Sequence, residues 1–330
     1  MYFNSEVRKL VAQMEAANVP ALNRLPLEEA RRAYQELGEQ LGGVPVPVER
    51  IDDFNADGPA GRLPLRVYRP YGLSENPAPA LIYFHGGGWT LGSIQTHDKV
   101  CRRIAEQAKC GVISVEYRLA PAFPLPAASD DAIAAVSWIS VKARELNIDA
   151  NRLAVGGDSA GGGLAAIAAI AAKDMGIALC AQVLLYPCLD NRDSAWEYPS
   201  RKQNAQVPPI SHDVLEWFIR QYRPDPKAAE DWKVSALRAP ALSGVAATFL
   251  AVGDRDPFHS EGMLYAERLS QSGVEIISHS IPGMIHGFIE MAGVLNVSQE
   301  VFKQVAFFLQ QHFVTSRTES LSPTWEQRMN

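Results

Sequence analysis

Ser159 stands between two glycines in Gly157-Asp158-Ser159-Ala160-Gly161. A serine hydroxyl is a weak nucleophile near neutral pH. It attacks a carbonyl when a base within hydrogen-bond reach takes its proton and a third group fixes that base in the right tautomer. The chain offers seven histidines for the base. His286 lies in a glycine-bracketed loop, Gly283-Met284-Ile285-His286-Gly287, of the kind that carries reactive groups beyond strand ends. His279 falls inside an expected strand and reads as a strand-surface residue. His97, His212 and His312 fall in expected helices or at their starts, where a solvated ring is the default. For the carboxylate, Asp254 and Asp256 both follow an apolar run, in Gly253-Asp254-Arg255-Asp256-Pro257. Either could be the acid, and either could merely cap the next helix. Pro257 holds Asp256 extended, which favours Asp256 as the group reaching under the base.

Acyl transfer also needs donors for a developing oxyanion. His85-Gly86-Gly87-Gly88-Trp89 follows a short apolar strand, and glycines let backbone N–H groups face a site without side-chain obstruction. The Ala160 N–H, at the start of a helix, is a further donor.

These residues need a scaffold. Leu153 to Val155 reads as a buried strand and Leu164 to Ala172 as an Ala/Ile helix, so the turn at Ser159 is a strand-to-helix elbow. Gly157 and Gly161 let strand and helix approach where a Cβ would clash. A phosphate-binding loop would end in Lys-Ser/Thr or follow Gly-x-Gly-x-x-Gly, and this one does neither. Strands are expected at 81–84, 111–117, 152–156, 180–186, 247–252 and 274–281. Helices are expected at 97–108, 127–145, 160–173, 260–271 and 297–312. This alternation implies an α/β fold with a mostly parallel central sheet and helices on both faces. A strand pair precedes it at 48–55 and 63–68. Two amphipathic helices, 5–17 and 26–41, open the chain. Residues 190–240, rich in Trp, Tyr, Pro and charge, interrupt the alternation with a helix near 211–223 and read as an insertion above the sheet. Residues 316–330 read as a polar, disordered tail.

The chain has 330 residues, 47% hydrophobic and 21% charged, with a net charge of -6. That size suits one large α/β domain with an attached subdomain. The acidic balance argues against nucleic acid or an anionic membrane as partner. No apolar run reaches the roughly 18 residues of a membrane span. The first residues carry no secretory pattern, so the expected location is the cytoplasm. The four cysteines have no metal-site or redox spacing. Strand 274–281 has no proline or lysine to guard an edge, so a homodimer through it is expected.

Five stretches together resemble the hormone-sensitive-lipase-like, or bacterial family IV, esterases of the α/β-hydrolase superfamily. They are His85 to Trp89, Tyr117-Arg118-Leu119-Ala120-Pro121, Gly157 to Gly162, Asp256-Pro257 and Ile285-His286-Gly287-Phe288. The chain order Ser, Asp, His is that of the α/β hydrolases. The resemblance implies Ser159 as nucleophile, Asp256 as acid and His286 as base. It also implies the N–H groups of Gly87, Gly88 and Ala160 as the oxyanion hole. His85 would brace the loop, with Gly86, Trp89, Gly157, Asp158 and Gly161 as further structural support. A cap would combine residues 1–45 with 190–240 over a hydrolase domain of 46–315. The implied activity is hydrolysis of short- to medium-chain acyl esters by water through an acyl-enzyme, with no cofactor and no metal. An arylformamidase-like amide hydrolase and a non-catalytic small-molecule receptor are the alternatives on the same fold. The chain departs from the family's Leu-Arg-Asp after Asp-Pro, having Phe258-His259-Ser260, and has Ala122 where the family has Glu.

Overall fold

Ala78–Phe84 is buried at all seven positions, as a strand covered on both faces must be. It is β3 of an eight-stranded sheet. The structure, a computed structural model, describes residues 3–17, 20–73 and 77–321, with side chains as far as 314. The other strands are β1 (Arg50–Gly58), β2 (Gly61–Arg69), β4 (Gly111–Val115), β5 (Ile148–Asp158), β6 (Ala181–Leu185), β7 (Ala247–Gly253) and β8 (Ile276–Ile281). Their order across the sheet is β1-β2-β4-β3-β5-β6-β7-β8. β1 and β2 form an antiparallel hairpin closed at Gly58 and Gly61, and β2 runs antiparallel to β4. From β4 to β8 every pairing is parallel. Parallel neighbours need crossovers. These are α3 (Asp98–Ala108), α4 (Ala127–Lys142), α5 (Ala160–Asp174) and α8 (His259–Gln271). The sheet is therefore mostly parallel, as the alternation of elements requires.

α5 is Ala/Gly-rich and buried from Ala160 to Ala172. Its small side chains let it lie close against the sheet. The register Phe84↔Gly157 sets the end of β3 beside the turn that leads into α5. α1 (Ser5–Ala16) and α2 (Leu27–Leu41) open the chain, and α6 (Pro199–Gln203) and α7 (His212–Tyr222) lie in the insertion. Ala30 of α2 packs with Val214 and Phe218 of α7 and with Leu91, in a small apolar cluster separate from the main core.

Several boundaries differ from the sequence expectation, among them those of β4, β5 and the last helix. β4 stops at Val115 because Glu116 turns aside, its carboxylate accepting from the Ile94 N–H at 2.7 Å. β5 begins earlier, at Ile148, where the polar residues Asp149 and Arg152 pair with each other at 2.8 Å and so tolerate the strand. The last helix, α9 (Asn296–Leu321), runs past the expected end at 312. The tail expected from 316 is thus helical backbone to Leu321, and residues 322–330 lie outside the described residues.

The elbow makes the tightest demand on sequence. A Cβ on Gly161 would fall on the carbonyl oxygens of Phe84 and His85, and one on Gly157 on those of Gly161 and Phe84. Backbone cannot yield as a flexible side chain does. Gly161→Ala should therefore cost on the order of 3 kcal/mol or more. Gly262→Ala is the matched control, because its Cβ would meet Val252 at an ordinary 3.6 Å inside a helix. It should change stability by less than ~1 kcal/mol. Chemical denaturation of both variants checks this; equal midpoints would remove the steric account.

Candidate active site

Ser159 joins β5 to α5 with φ 54° and ψ -120°. That conformation is costly for a residue with a side chain, on the order of 1–3 kcal/mol, and persists only where the surroundings impose it. Here they do. The Ser159 N–H donates to the Leu185 carbonyl (2.9 Å), and its own carbonyl accepts from Gly163 and Cys188. The strained backbone turns Oγ away from the sheet and towards His286, 2.8 Å from Nε2.

His286 follows β8 on a short loop. Its Nδ1–H donates to Asp256 Oδ2 at 2.7 Å. That bond fixes the tautomer that leaves Nε2 free to accept from Ser159. Burial works against charge on His286, but the Asp256 carboxylate at its other nitrogen raises it above the ordinary histidine value. Asp256 is fully buried. Its Oδ1 accepts from the Phe258 N–H (2.8 Å), and its carbonyl accepts from Asn204 Nδ2 (3.0 Å). Asp254, the rival carboxylate, is turned away. Its Oδ1 accepts from the Gly283 N–H at 2.7 Å and faces Arg255. Phe258, where the family has Leu, packs edge-on against the His286 ring at 5.1 Å. His259 binds Ser280 Oγ at 2.7 Å and does not touch the acid's side chain.

Gly87, Gly88 and Trp89 all have positive φ, at 110°, 59° and 57°. The loop turns back on itself there, and the Thr90 and Leu91 N–H groups close onto the Gly87 carbonyl. A Cβ on Gly88 would fall on the Phe218 ring of α7. Gly87, Gly88, Ser159 and Ala160 line one pocket. Ala160 is the first residue of α5, so its N–H has no acceptor within its own helix. His85 braces the loop from behind. Its Nδ1–H donates to the Gly86 carbonyl (2.8 Å), and its ring stacks on Tyr117 at 4.2 Å. Burial first, and His97 second, push His85 down to about 3, so it stays neutral. Trp89 stacks on Tyr222 at 4.1 Å. Asp158 accepts from the Gly86 N–H (3.0 Å) and the Tyr83 hydroxyl (2.8 Å), which ties the oxyanion-side loop to the elbow.

One expectation fails. His97 is not solvated but fully buried, with Nε2 3.2 Å from Asp158 and 3.7 Å from Glu290. Its Nδ1 binds Thr96 Oγ1 at 2.8 Å. The clue was in the sequence: Val100, Cys101 and Ile104 follow at steps of three, four and seven, so His97 shares their inward face. Glu290 and Tyr34 lie in no motif and were missed. The Tyr34 hydroxyl donates to Glu290 Oε2 at 2.6 Å, and both line the pocket. The donor atoms of His97, Asp158 and Glu290 lie within 4.8 Å of one another, close enough for a cation, but His97 and Asp158 already pair directly.

The buried histidine makes stability depend on pH. Burial alone would lower His97, but Asp158 and Glu290 outweigh it and raise it to about 9 from an ordinary 6.5. A group raised in the folded state stabilises fully below its unfolded value and loses that contribution as pH climbs through the folded one. Melting temperature should therefore fall between pH 6.5 and 9. His97→Gln should be less stable at the low end and should show a flatter fall. Parallel curves for the two proteins would exclude a charged His97.

Known proteins share this architecture. A sequence model described as the alpha/beta hydrolase fold matches residues 81–290. An ethyl acetate hydrolase of Pseudomonas putida is 37% identical over 307 residues, covering 91% of this chain and 95% of its own. An arylesterase of Saccharolobus solfataricus is 32% identical over 314 residues, 95% of this chain and all of its own. An ester-hydrolase from the metagenome of Lake Arreo, solved with a derivative of bipyridine phosphonate, superposes with a TM-score of 0.90 at 37% identity, covering 94% and 99% of the two chains. With these relatives and that match over its central two thirds, the chain belongs to the hormone-sensitive-lipase-like family of the alpha/beta hydrolase fold, a family of carboxylic ester hydrolases.

Proposed function

We propose that this protein is a carboxylesterase acting on short- to medium-chain acyl esters, with Ser159 as nucleophile, His286 as general base and acid, and Asp256 as the orienting carboxylate. The observation that carries the reading is the unbroken path from Ser159 Oγ through His286 to buried Asp256, opening on an apolar pocket. His286 takes the Ser159 proton as Oγ attacks the ester carbonyl. The N–H groups of Gly87, Gly88 and Ala160 receive the oxyanion. His286 then protonates the leaving alcohol, and water repeats the cycle on the acyl-enzyme. The pocket spans about 910 Å³, open solvent at its mouth included. Met14, Leu37, Leu41, Leu215 and Phe218 from α1, α2 and α7 line it. That lining supports residues 1–45 and 190–240 as one cap over a hydrolase domain. The names of the relatives, ethyl acetate hydrolase and arylesterase, favour small acyl groups.

Ser159→Ala should reduce turnover of a short-chain aryl ester by roughly 10⁴- to 10⁶-fold with the fold intact. Asp256→Asn should cost ~10⁴-fold, by favouring the wrong tautomer of His286. Asp254→Asn should cost far less, because its carboxylate holds the Gly283 N–H and Arg255 rather than His286. Turnover of the three variants, with circular dichroism as a folding control, decides the roles. A dead Asp254→Asn beside an active Asp256→Asn would reverse the acid assignment.

We also propose a two-fold dimer through β8, the last strand in the sheet order, whose Ile277 is exposed. Edge strands with open backbone groups recruit a second copy. Light scattering at micromolar concentration should give twice the chain mass, and a monomeric mass would refute the contact. No helix among the described residues is long and apolar enough to cross a membrane. None of the four cysteines is in a disulfide, which supports a reducing, cytoplasmic location; esterase activity confined to a membrane or secreted fraction would contradict it.

A further inference from the structure

Among the described residues that line the pocket, Glu290 is the one carboxylate. This residue lies four positions beyond His286, on a short helical turn, and reaches back to the same cavity. Its two oxygens differ. Oε2 accepts from the Tyr34 hydroxyl at 2.6 Å and faces His97 Nε2 at 3.7 Å. Oε1 has no hydrogen-bond partner among the described residues, yet it is not one of the sealed, unpaired polar atoms. It opens on the pocket beside Gly287, 3.9 Å from where a Cβ on that glycine would stand.

Asp158 is fully buried; burial opposes its ionisation, but His97 outweighs burial and lowers it below the usual carboxylate range. His97 is raised to about 9 and is charged at neutral pH. Burial outweighs the opposing pull of His97 and leaves Glu290 above the ordinary carboxylate value. Two carboxylates thus face one imidazolium. The remaining neighbours, Tyr34 and Tyr83, are held neutral by burial, and His85 is neutral too. No lysine or arginine lines the pocket among the described residues. Glu290 shares its cationic neighbour with Asp158, and it is the member of the group that reaches the cavity, where a cation on a ligand would hold it ionised. A buried, fixed carboxylate without its own cation favours a ligand that brings one.

The side of the substrate follows from the chemistry. His286 protonates the leaving alcohol, so the leaving oxygen sits at Nε2. Gly287 is the next residue, and Oε1 lies beside it. We infer that Glu290 forms a subsite for a protonated amine on the alcohol half of the ester. The inference rests on reading Ser159 and His286 as the esterase site, and it names the alcohol class that site prefers. Tyr34, by holding Oε2, is the positioning residue that aims the free oxygen.

The test is a matched pair, 2-(dimethylamino)ethyl butyrate and 3-methylbutyl butyrate, which differ only in N–H⁺ for C–H. Hydrolysis is followed by pH-stat near neutral pH. The ratio of kcat/KM values, amine over isostere, is divided by the ratio of their rates with hydroxide. It should be ~10 or more in the wild type. It should fall towards one in Glu290→Gln and by a smaller factor in Tyr34→Phe, which keeps the charge but frees it. The wild-type ratio and Tyr34→Phe decide the matter even if Glu290→Gln fails to fold. A wild-type ratio near one, or a ratio that neither substitution changes, overturns the subsite while leaving the esterase intact. Hydrolysis of neither ester overturns the esterase reading, and the subsite with it.

Discussion

The whole site depends on how closely the first turn of α5 approaches the end of β3. The Gly161 position admits no side chain because the Phe84 and His85 carbonyls occupy that space. This approach fixes Ser159 in its left-handed conformation and points the open end of α5 at the cavity. It also sets the chain leaving β3, which becomes the Gly87-Gly88 loop, beside the nucleophile. Two donors from that loop and one from the helix therefore share a single packing contact. Asp158 adds a second link between the same two segments through the Gly86 N–H. Ser159 and the N–H groups proposed as oxyanion donors cannot drift apart unless this contact opens.

Asp256, the proposed acid, is held by different means. Ser200 and Ser260 exchange hydrogen bonds between each hydroxyl and the other's N–H, at 3.1 and 3.0 Å. Asn204 takes the Asp254 and Asp256 carbonyls. Arg201 forms a fully buried pair with Glu261 at 2.7 Å, and its guanidinium lies over Phe258. An ion pair so buried adds little net stability, but losing one partner leaves a charge stranded, so the geometry is strongly enforced. Phe258 in turn touches His286. The 190–240 insertion thus braces the loop that orients the base.

Much of this was legible in the sequence, because close approach demands glycine and glycine leaves a spaced signature. The alternation of strands and helices gave the sheet, since a parallel ladder requires crossovers. The acid was narrowed to two residues, and only the turn at Pro257 separates them in space. What the sequence hid was long-range. Tyr34 and Glu290 are 256 positions apart, and no local pattern joins them. His97 looked like a helix-start residue, although its apolar successors placed it inward. α9 runs on to Leu321, past the end at 312 that its apolar pattern marked.

The clamp from α6 has a consequence for how this scaffold can change. Cap segments are the natural place to vary a pocket, but here part of the cap also carries the acid loop. Ser200, Arg201 and Asn204 are tied to the loop that carries Asp256, whereas Met14, Leu37 and Leu41 line the cavity and make no side-chain hydrogen bond to that loop. Variation in the amino-terminal helices is therefore free to reshape what enters, while drift in the insertion is filtered by turnover. Lineages of this fold should diversify their appetite for esters mainly through the first forty residues, and a library built to retarget the enzyme should begin there.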